Sequence, residues 1–283
     1  MNRLVGAKVA IVSDKPQTTR TRILGVQHYP GAQVVYLDTP GIHRPLHRMN
    51  VRMVDAAVET VGQVDVLGLV VDATEAPGNG DRFVLALVEK VTTPVFAILN
   101  KIDLVRKPRL LPMIERYARM ECFAEIVPLS AATGENVDRL VDALIARLPE
   151  GQPIYPADYL TDRPERFMAA EMVREQVLRL TRAELPFSSA VVVERFEEPV
   201  GPRDVLRLHC AILVERESQK AIVVGRGGEM IKQIGTAARQ ELERFFETRV
   251  FLELFVRVSS DWREDDRVLR EIGVPESSGR RRS

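Results

Sequence analysis

The chain has 283 residues, of which 45% are hydrophobic and 28% charged, with 40 basic and 40 acidic side chains. This length allows two domains. Because the net charge is zero, any nucleic-acid binding must depend on a local basic patch. The longest apolar run, at residues 64–71, is far shorter than the roughly 20 residues of a membrane span, and we expect no signal peptide. Cys122 and Cys210 are too far apart for a zinc motif, and we expect a cytoplasmic protein with free thiols.

The first residues combine a helix end with a basic segment. Residues 1–6 predict the last turn of a helix that stops at Gly6, because glycine suits the left-handed conformation of a helix end. Residues 15–22 are polar and basic, and they predict a mobile loop, with a plain linker as the alternative.

Two strands, at residues 23–29 and 32–37, form a predicted antiparallel hairpin and lead into the turn Asp38-Thr39-Pro40-Gly41. A carboxylate at a strand tip is able to hold Mg²⁺ through water, and a glycine N–H approaches a terminal phosphate closely. The turn therefore predicts a phosphate and Mg²⁺ site, and an ordinary Pro-Gly turn is the alternative.

Helices and strands alternate through the rest of the first 150 residues. The pattern predicts helices at 48–61, 81–90, 108–120 and 136–148, and strands at 64–71, 95–99 and 125–129. Such alternation is typical of an α/β fold with a mostly parallel sheet and helices on both faces. Ligands of these folds bind at the carboxyl ends of the strands.

The strand at residues 95–99 ends in Asn100-Lys101-Ile102-Asp103, which we interpret as a guanine-binding loop. The Asp103 carboxylate would accept hydrogen bonds from the ring N–H and the exocyclic amine of guanine, an edge that adenine lacks. The Lys101 stem would lie along the base, and the Asn100 amide would join neighbouring loops. A simple Asn/Asp turn after a strand is the alternative.

A second loop, Ser130-Ala131-Ala132-Thr133-Gly134, follows the strand at residues 125–129. In a parallel sheet this loop lies at the same edge as the loop that begins at Asn100. One of its backbone N–H groups is therefore expected beside the oxygen of a bound guanine.

A proline-rich linker at residues 151–164 divides the chain into a first domain at 1–150 and a second at 165–275, and the tail at 276–283 is expected to be disordered. The second domain predicts helices at 166–181, 229–246 and 265–272, and strands at 188–196, 205–215, 220–224 and 250–258. This α+β order around a Gly-x-x-Gly turn indicates a type II KH domain, which binds RNA.

The turn Gly225-Arg226-Gly227-Gly228 carries the predicted RNA contact. Its glycines let the chain press against a phosphodiester backbone, and the helix that follows adds positive potential at its N-terminus. Arg226 and Lys232 add formal charge. A lone Gly-x-x-Gly also fits a simple turn before a helix, so the interpretation depends on the surrounding pattern.

These motifs, in this order, resemble the Era/TrmE-like bacterial GTPases with a C-terminal KH domain, the Era family, along the whole chain. The matching segments are residues 15–22 as the effector loop, 38–41, 100–103, 130–131 and 225–228. The resemblance implies a Ras-like P-loop NTPase domain that binds GTP or GDP with Mg²⁺ and hydrolyses GTP. It also implies a KH domain that binds small-subunit ribosomal RNA and assists assembly of the small subunit. Peripheral membrane association is a family possibility that nothing in this sequence supports.

By the same resemblance Thr19 and Asp38 belong to the Mg²⁺ site. Ile42 stands where Ras-like proteins carry a catalytic glutamine, so no catalytic residue is assigned. Gly227 stands where relatives often carry a lysine, which weakens the expected grip on RNA. The expected nucleotide-binding residues are Asp38, Thr39, Pro40, Gly41, Ile42, Asn100, Lys101, Ile102, Asp103, Ser130 and Ala131, and the RNA-binding residues are Gly225, Arg226, Gly227, Gly228 and Lys232.

The main departure from the family concerns its first strand and its Gly-x-x-x-x-Gly-Lys-Ser phosphate loop, a motif that these 283 residues do not contain. We expect the first domain to lack its central strand, to expose apolar surface around Val35 and Val66, and to show no measurable GTP binding or GTPase activity as written. Two hypotheses follow. One is a GTPase whose start codon lies upstream of Met1, which the intact guanine loop favours. The other is a nucleotide-free pseudo-GTPase that acts as an RNA-binding assembly module.

Overall fold

The computed structural model describes residues 1–15, 18–41, 48–75, 78–181, 185–201 and 204–274. Helix α1 (Asn2–Val5) ends at Gly6, whose φ of 74° is the left-handed stop that the sequence predicts. Strands β1 (Ile23–Tyr29) and β2 (Ala32–Asp38) pair as the predicted antiparallel hairpin.

A parallel sheet follows the hairpin, with the predicted alternation of helices and strands. The elements are α2 (Arg48–Val61), β3 (Leu67–Asp72), α3 (Asn79–Val88), β4 (Val95–Asn100), α4 (Lys107–Ala118), β5 (Glu125–Pro128) and α5 (Val137–Ile145), with the strands in the order β3-β4-β5. Buried side chains of the central strand β4 pack against helices and against Val127 of β5. The core of the first domain therefore surrounds the strand that leads into the guanine-type loop.

The hairpin and the parallel sheet are two separate sheets in the described part of the chain. A cleft of about 1610 Å³ lies between β2 and β3, and its walls include Val35, Val66, Leu67 and Leu69. Val70 of β3 is 63% exposed. The expected apolar surface around Val35 and Val66 is therefore present, because no described strand pairs with the facing edges of β2 and β3.

The proline-rich linker runs along the hairpin. The Val26 N–H donates to the Leu160 oxygen at 2.9 Å. The Gln33 side chain accepts hydrogen bonds from the N–H groups of Ile154 at 2.8 Å and Tyr155 at 3.0 Å. These bonds attach the linker to the first domain over much of its length.

The second domain is built on a three-stranded sheet. The elements are α6 (Glu165–Leu180), α7 (Leu185–Ser188), β6 (Ser189–Glu197), β7 (Leu206–Val214), α8 (Glu217–Val224), α9 (Glu229–Phe246), β8 (Val250–Val258) and α10 (Asp266–Glu271). Strands β6 and β7 are antiparallel, and β7 and β8 are parallel. Helices α6, α8 and α9 cover an apolar core that includes Leu208, Ile212, Ile234 and Leu242.

The strand predicted at residues 220–224 is wrong, because these residues belong to helix α8. The helix begins where the Gln219 side chain accepts hydrogen bonds from the N–H groups of Glu215 at 2.9 Å and Arg216 at 3.0 Å. A run of four apolar residues fits a strand or a buried helix equally well, and the capping bonds decide for the helix.

The opposite face of the second sheet receives elements of the first domain. Met49 and Met53 of α2 are fully buried in one apolar cluster with Ala211, Leu213 and Trp262. Because these side chains share one buried cluster, the contact between the first and second domains is a folded core and not a surface contact. None of the helices in the described ranges is long and apolar enough to cross a membrane.

The prediction of a mobile loop at residues 15–22 is wrong for residues 18–22, while residues 16 and 17 lie outside the described chain. Arg20 and Thr21 are 4% and 2% exposed. The Arg20 guanidinium donates to the Ser189 oxygen at 2.8 Å and lies 5.7 Å from the ring centre of Trp262. Sequence reasoning placed this basic segment at the surface because its partners lie far away along the chain.

We expect Trp262→Ala to lower the free energy of unfolding by about 3–5 kcal/mol, because it removes a fully buried ring between α2 and the second sheet. Urea denaturation measures this loss. Ile222→Ala, at a side chain that is 50% exposed, is the control and should cost less than about 1 kcal/mol. Equal losses in the two variants would contradict this account of the interface.

Candidate functional site

Asn100, the last residue of β4, joins the two loops that the sequence assigns to guanine. Its Oδ1 accepts hydrogen bonds from the Lys101 N–H at 2.8 Å and from the Ala131 N–H at 2.9 Å. The Ile102 N–H also donates to the Leu129 oxygen at 3.3 Å. The structure thus brings residues 100–103 and 130–131 together at the carboxyl ends of β4 and β5.

Lys101 turns the loop sharply, with a left-handed φ of 67°, and its ammonium group donates to Asp72 at 2.5 Å. Burial works to raise the pKa of Asp72, but hydrogen bonds from Lys101 and Thr74 outweigh it and hold that pKa below its usual value. The Asp72 contact raises the pKa of Lys101. Asp72 was not predicted from the sequence, although a carboxylate at the tip of a parallel strand could have indicated a site residue.

Asp103 is exposed, and its carboxylate makes no hydrogen bond within the described residues. The neighbouring Ile102 is 9% exposed and anchors the loop. The Ala131 N–H is taken by Asn100, whereas the Ala132 N–H has no partner among the described residues. Of these two amides, Ala132 is therefore the donor left for a ligand beside Asp103.

Two further residues fix the second loop. Ser130 is fully buried, and its hydroxyl accepts from the Thr133 N–H at 3.1 Å. Arg3 of α1 donates to the oxygens of Ala131 at 3.3 Å and Ala132 at 2.5 Å. The sequence carries no signal for the Arg3 contact, because the residues lie 128 and 129 positions apart.

Thr19 and Asp38 lie side by side, with the Thr19 hydroxyl donating to an Asp38 carboxylate oxygen at 3.1 Å. Burial raises the pKa of Asp38. Thr39 and Gly41 follow along the wall of the cleft, and Ile42 lies outside the described residues. The described ranges contain no cluster of three acidic, histidine or cysteine ligands. A hydroxyl and a carboxylate are ligands that suit Mg²⁺ when waters and phosphate oxygens complete the set.

The Gly-x-x-Gly turn joins α8 to α9. Gly225, Gly227 and Gly228 have left-handed φ values of 73°, 61° and 81°. Arg226, Gly227 and Lys232 lie at the surface, so the turn and the first turns of α9 present backbone and positive charge together. This arrangement can face a nucleic-acid backbone.

The glycines differ in what a side chain would meet. A Cβ on Gly225 would lie 2.6 Å from the Met230 Cβ, so this glycine is required by close packing. A Cβ on Gly227 would meet nothing within 4 Å. A substitution at Gly227 therefore adds a side chain without an internal clash. It can be used to test whether this position contacts a ligand.

Comparison with known protein families divides the chain in the same way as the fold. A family model described as 50S ribosome-binding GTPase matches residues 1–101, and a KH domain model matches residues 184–263. The first match ends at Lys101, inside the guanine-type loop, and the Gly-x-x-Gly turn lies within the second match. Fold and site together define a GTPase-type α/β domain followed by a KH domain.

The chain belongs to the family of GTPase Era. It is 50% identical over 273 residues to GTPase Era of Geotalea uraniireducens, covering 96% of this chain and 91% of the relative. It is 47% identical over 276 residues to GTPase Era of Heliobacterium modesticaldum, covering 98% of this chain and 92% of the relative.

Two solved structures match nearly the whole of this chain. One is Era in complex with MgGDPNP and nucleotides 1506–1542 of 16S ribosomal RNA, at 40% identity and a TM-score of 0.91, covering 96% of this chain and 92% of that one. The other is a single-residue variant of Aquifex aeolicus Era bound to GDP.AlF4-, at 40% identity and a TM-score of 0.90, covering 96% of this chain and 93% of that one.

We expect Asn100→Ala to speed hydrogen exchange at the Ala131 amide by about tenfold or more, because it removes the acceptor of that N–H. Hydrogen exchange read by NMR measures this change in the chain as it stands. Asp103→Ala is the matched control in the same loop and should leave exchange at Ala131 unchanged. Equal protection of Ala131 in the Asn100 variant would show that this bond does not hold the loops together.

Proposed function

We propose that this chain is a cytoplasmic GTPase that recognises guanine nucleotides and small-subunit ribosomal RNA and assists assembly of the small ribosomal subunit. The observation that carries the proposal is the pair of hydrogen bonds that the Asn100 side chain accepts from the N–H groups of Lys101 and Ala131, while the Asp103 carboxylate of the same loop stays exposed. The relatives with Mg-nucleotide and 16S ribosomal RNA support the same assignment.

Base selection would depend on Asp103 and the Ala132 amide. The carboxylate accepts from two donors on guanine, and the amide donates to the guanine oxygen. Adenine offers the opposite pattern at that edge and would leave the carboxylate unpaired. The Lys101 stem, held by Asp72, would cover one face of the base. Ser130 and Ala131 would act by holding the loop in shape.

The nucleotide phosphates would meet residues 38–41, and Mg²⁺ would be held by Thr19 directly and by Asp38 through water. The bound metal would supply charge neutralisation at the phosphates. The described residues provide contacts for the guanine base and some of the ligands that Mg²⁺ needs. The Gly-x-x-x-x-Gly-Lys-Ser motif that cradles phosphates is absent from these 283 residues.

The RNA contact would lie at the Gly-x-x-Gly turn. Gly225, Arg226, Gly227 and Gly228 would approach the phosphodiester backbone, and Lys232 would add charge one turn into α9. The positive end of the α9 macrodipole favours phosphate at the same place.

A second candidate function is a nucleotide-free RNA-binding assembly module. The apolar cleft between β2 and β3 favours it. For the 283-residue chain we expect GTP affinity to be weaker than micromolar, measured with labelled GTP and Mg²⁺. Micromolar, Mg²⁺-dependent binding would contradict this expectation.

Asp103→Asn tests the guanine assignment in a chimera that carries a family strand and Gly-x-x-x-x-Gly-Lys-Ser loop ahead of Met1. We expect the ratio of GTP to XTP affinity to fall by about 100-fold or more, because an amide presents a donor where the carboxylate accepted. Nucleotide competition measures the ratio. Asp138→Asn, an exposed aspartate at the start of α5, is the control. An unchanged ratio in the Asp103 variant would remove this residue from the site.

Gly227→Asp tests the RNA surface, because this position has room for a side chain and faces solvent. We expect affinity for an oligonucleotide of 16S nucleotides 1506–1542 to fall by about tenfold or more, since the carboxylate repels phosphate. Gly227→Asn, which tolerates the same backbone conformation without charge, is the matched control. Equal affinities at several salt concentrations would locate the RNA surface elsewhere.

A further inference from the structure

A pocket of about 200 Å³ lies where residues 18–22, the end of the linker, α6, β6 and the end of α10 meet. It shares no residue with the guanine loop, the Thr19 and Asp38 pair or the Gly-x-x-Gly turn. Its polar lining is dominated by five arginine side chains, namely Arg20, Arg163, Arg166, Arg174 and Arg270.

Positive charge in the pocket lining exceeds the negative charge. The two carboxylates among the lining residues are Glu171 and Glu271, so five arginines face two acids. Both oxygens of Glu171 are already engaged by Arg174, through Nε at 2.7 Å and Nη2 at 2.6 Å. The lining is therefore strongly basic, which favours an anion.

Arg174, which lines the pocket, also has a side-chain donor without a partner among the described residues. The side chain is 1% exposed, and its Nη1 has no hydrogen-bond partner among the described residues. Its other nitrogens bind Glu171 and the Thr18 oxygen. A buried guanidinium N–H is unfavourable unless an acceptor reaches it, and oxyanions are the acceptors that arginine binds best.

We propose that this pocket binds a small tetrahedral oxyanion of the phosphate class. Arg174 and Arg20 form its buried floor, and Arg163, Arg166 and Arg270 form its more exposed mouth. Small-molecule sites occupy about 300–1,000 Å³, so a pocket of about 200 Å³ suits a hydrated ion better than a whole nucleotide.

The bound anion joins the two domains. Arg20 comes from the segment next to Thr19, whereas the other four arginines come from the linker end and the second domain. An oxyanion between them accepts hydrogen bonds from both sides and offsets their mutual repulsion. It therefore stabilises the docking of residues 18–22 on the second sheet.

Calorimetric titration of the full chain with inorganic phosphate at constant ionic strength tests the proposal, with sulfate and chloride as separate arms. We expect phosphate and sulfate to bind and to raise the thermal unfolding midpoint, and chloride to do neither. Arg163→Met should weaken phosphate binding by about tenfold or more, because it removes one of the five positive charges of the lining and leaves an unbranched side chain in its place. Arg244→Met, at a side chain that is 70% exposed on α9, is the matched control and should bind as the parent does.

If Arg163→Met does not fold, Arg270→Met at the exposed mouth takes its place with the same expectation. Absence of phosphate binding in the parent would mean that the pocket holds only water and would overturn the proposal. Equal affinity in the parent, the pocket variant and the Arg244 variant would place the anion at another site and would overturn it as well.

Discussion

The hydrogen bond between the Asn100 side chain and the Ala131 N–H is the contact on which the candidate nucleotide site depends. Parallel pairing of β4 with β5 brings their carboxyl ends to one edge, and this bond then fixes the two loops relative to each other. Lys101 and Asp103 have defined positions only because their neighbour is held in this way. The exposed carboxylate is a consequence of that local order.

The stretch at residues 18–22 connects this domain to the second one. The Thr19 side chain bonds to Asp38 on the hairpin, and the next residue, Arg20, is buried against Ser189 and Trp262. Helix α2 adds Met49 and Met53 to the same interface. A shift of residues 18–22 would therefore also change their contacts with the second sheet, because Thr19 contacts the first domain and the adjacent Arg20 contacts the second.

Most of the element order was predictable from the sequence, because periodicity and strand-tip polar motifs are local signals. The bounds of α2, α9 and β8 match the prediction, and the linker is where its prolines indicated. Helix α8 was missed because its deciding contacts are the Gln219 capping bonds, which a short apolar run does not reveal. The burial of Arg20 and the contact of Arg3 with the second loop were missed because both join residues more than 100 positions apart.

The most direct test of the account is NMR mapping of the 283-residue chain with millimolar GMP and, separately, AMP. The base recognition proposed for residues 100–103 and 130–132 would not need the phosphate motif, so weak binding suffices for this test. We expect GMP to shift the amide signals of Asp103 and Ala132 and AMP to leave them unchanged. Equal shifts with both nucleotides, or GMP shifts confined to other residues, would contradict guanine recognition at this site.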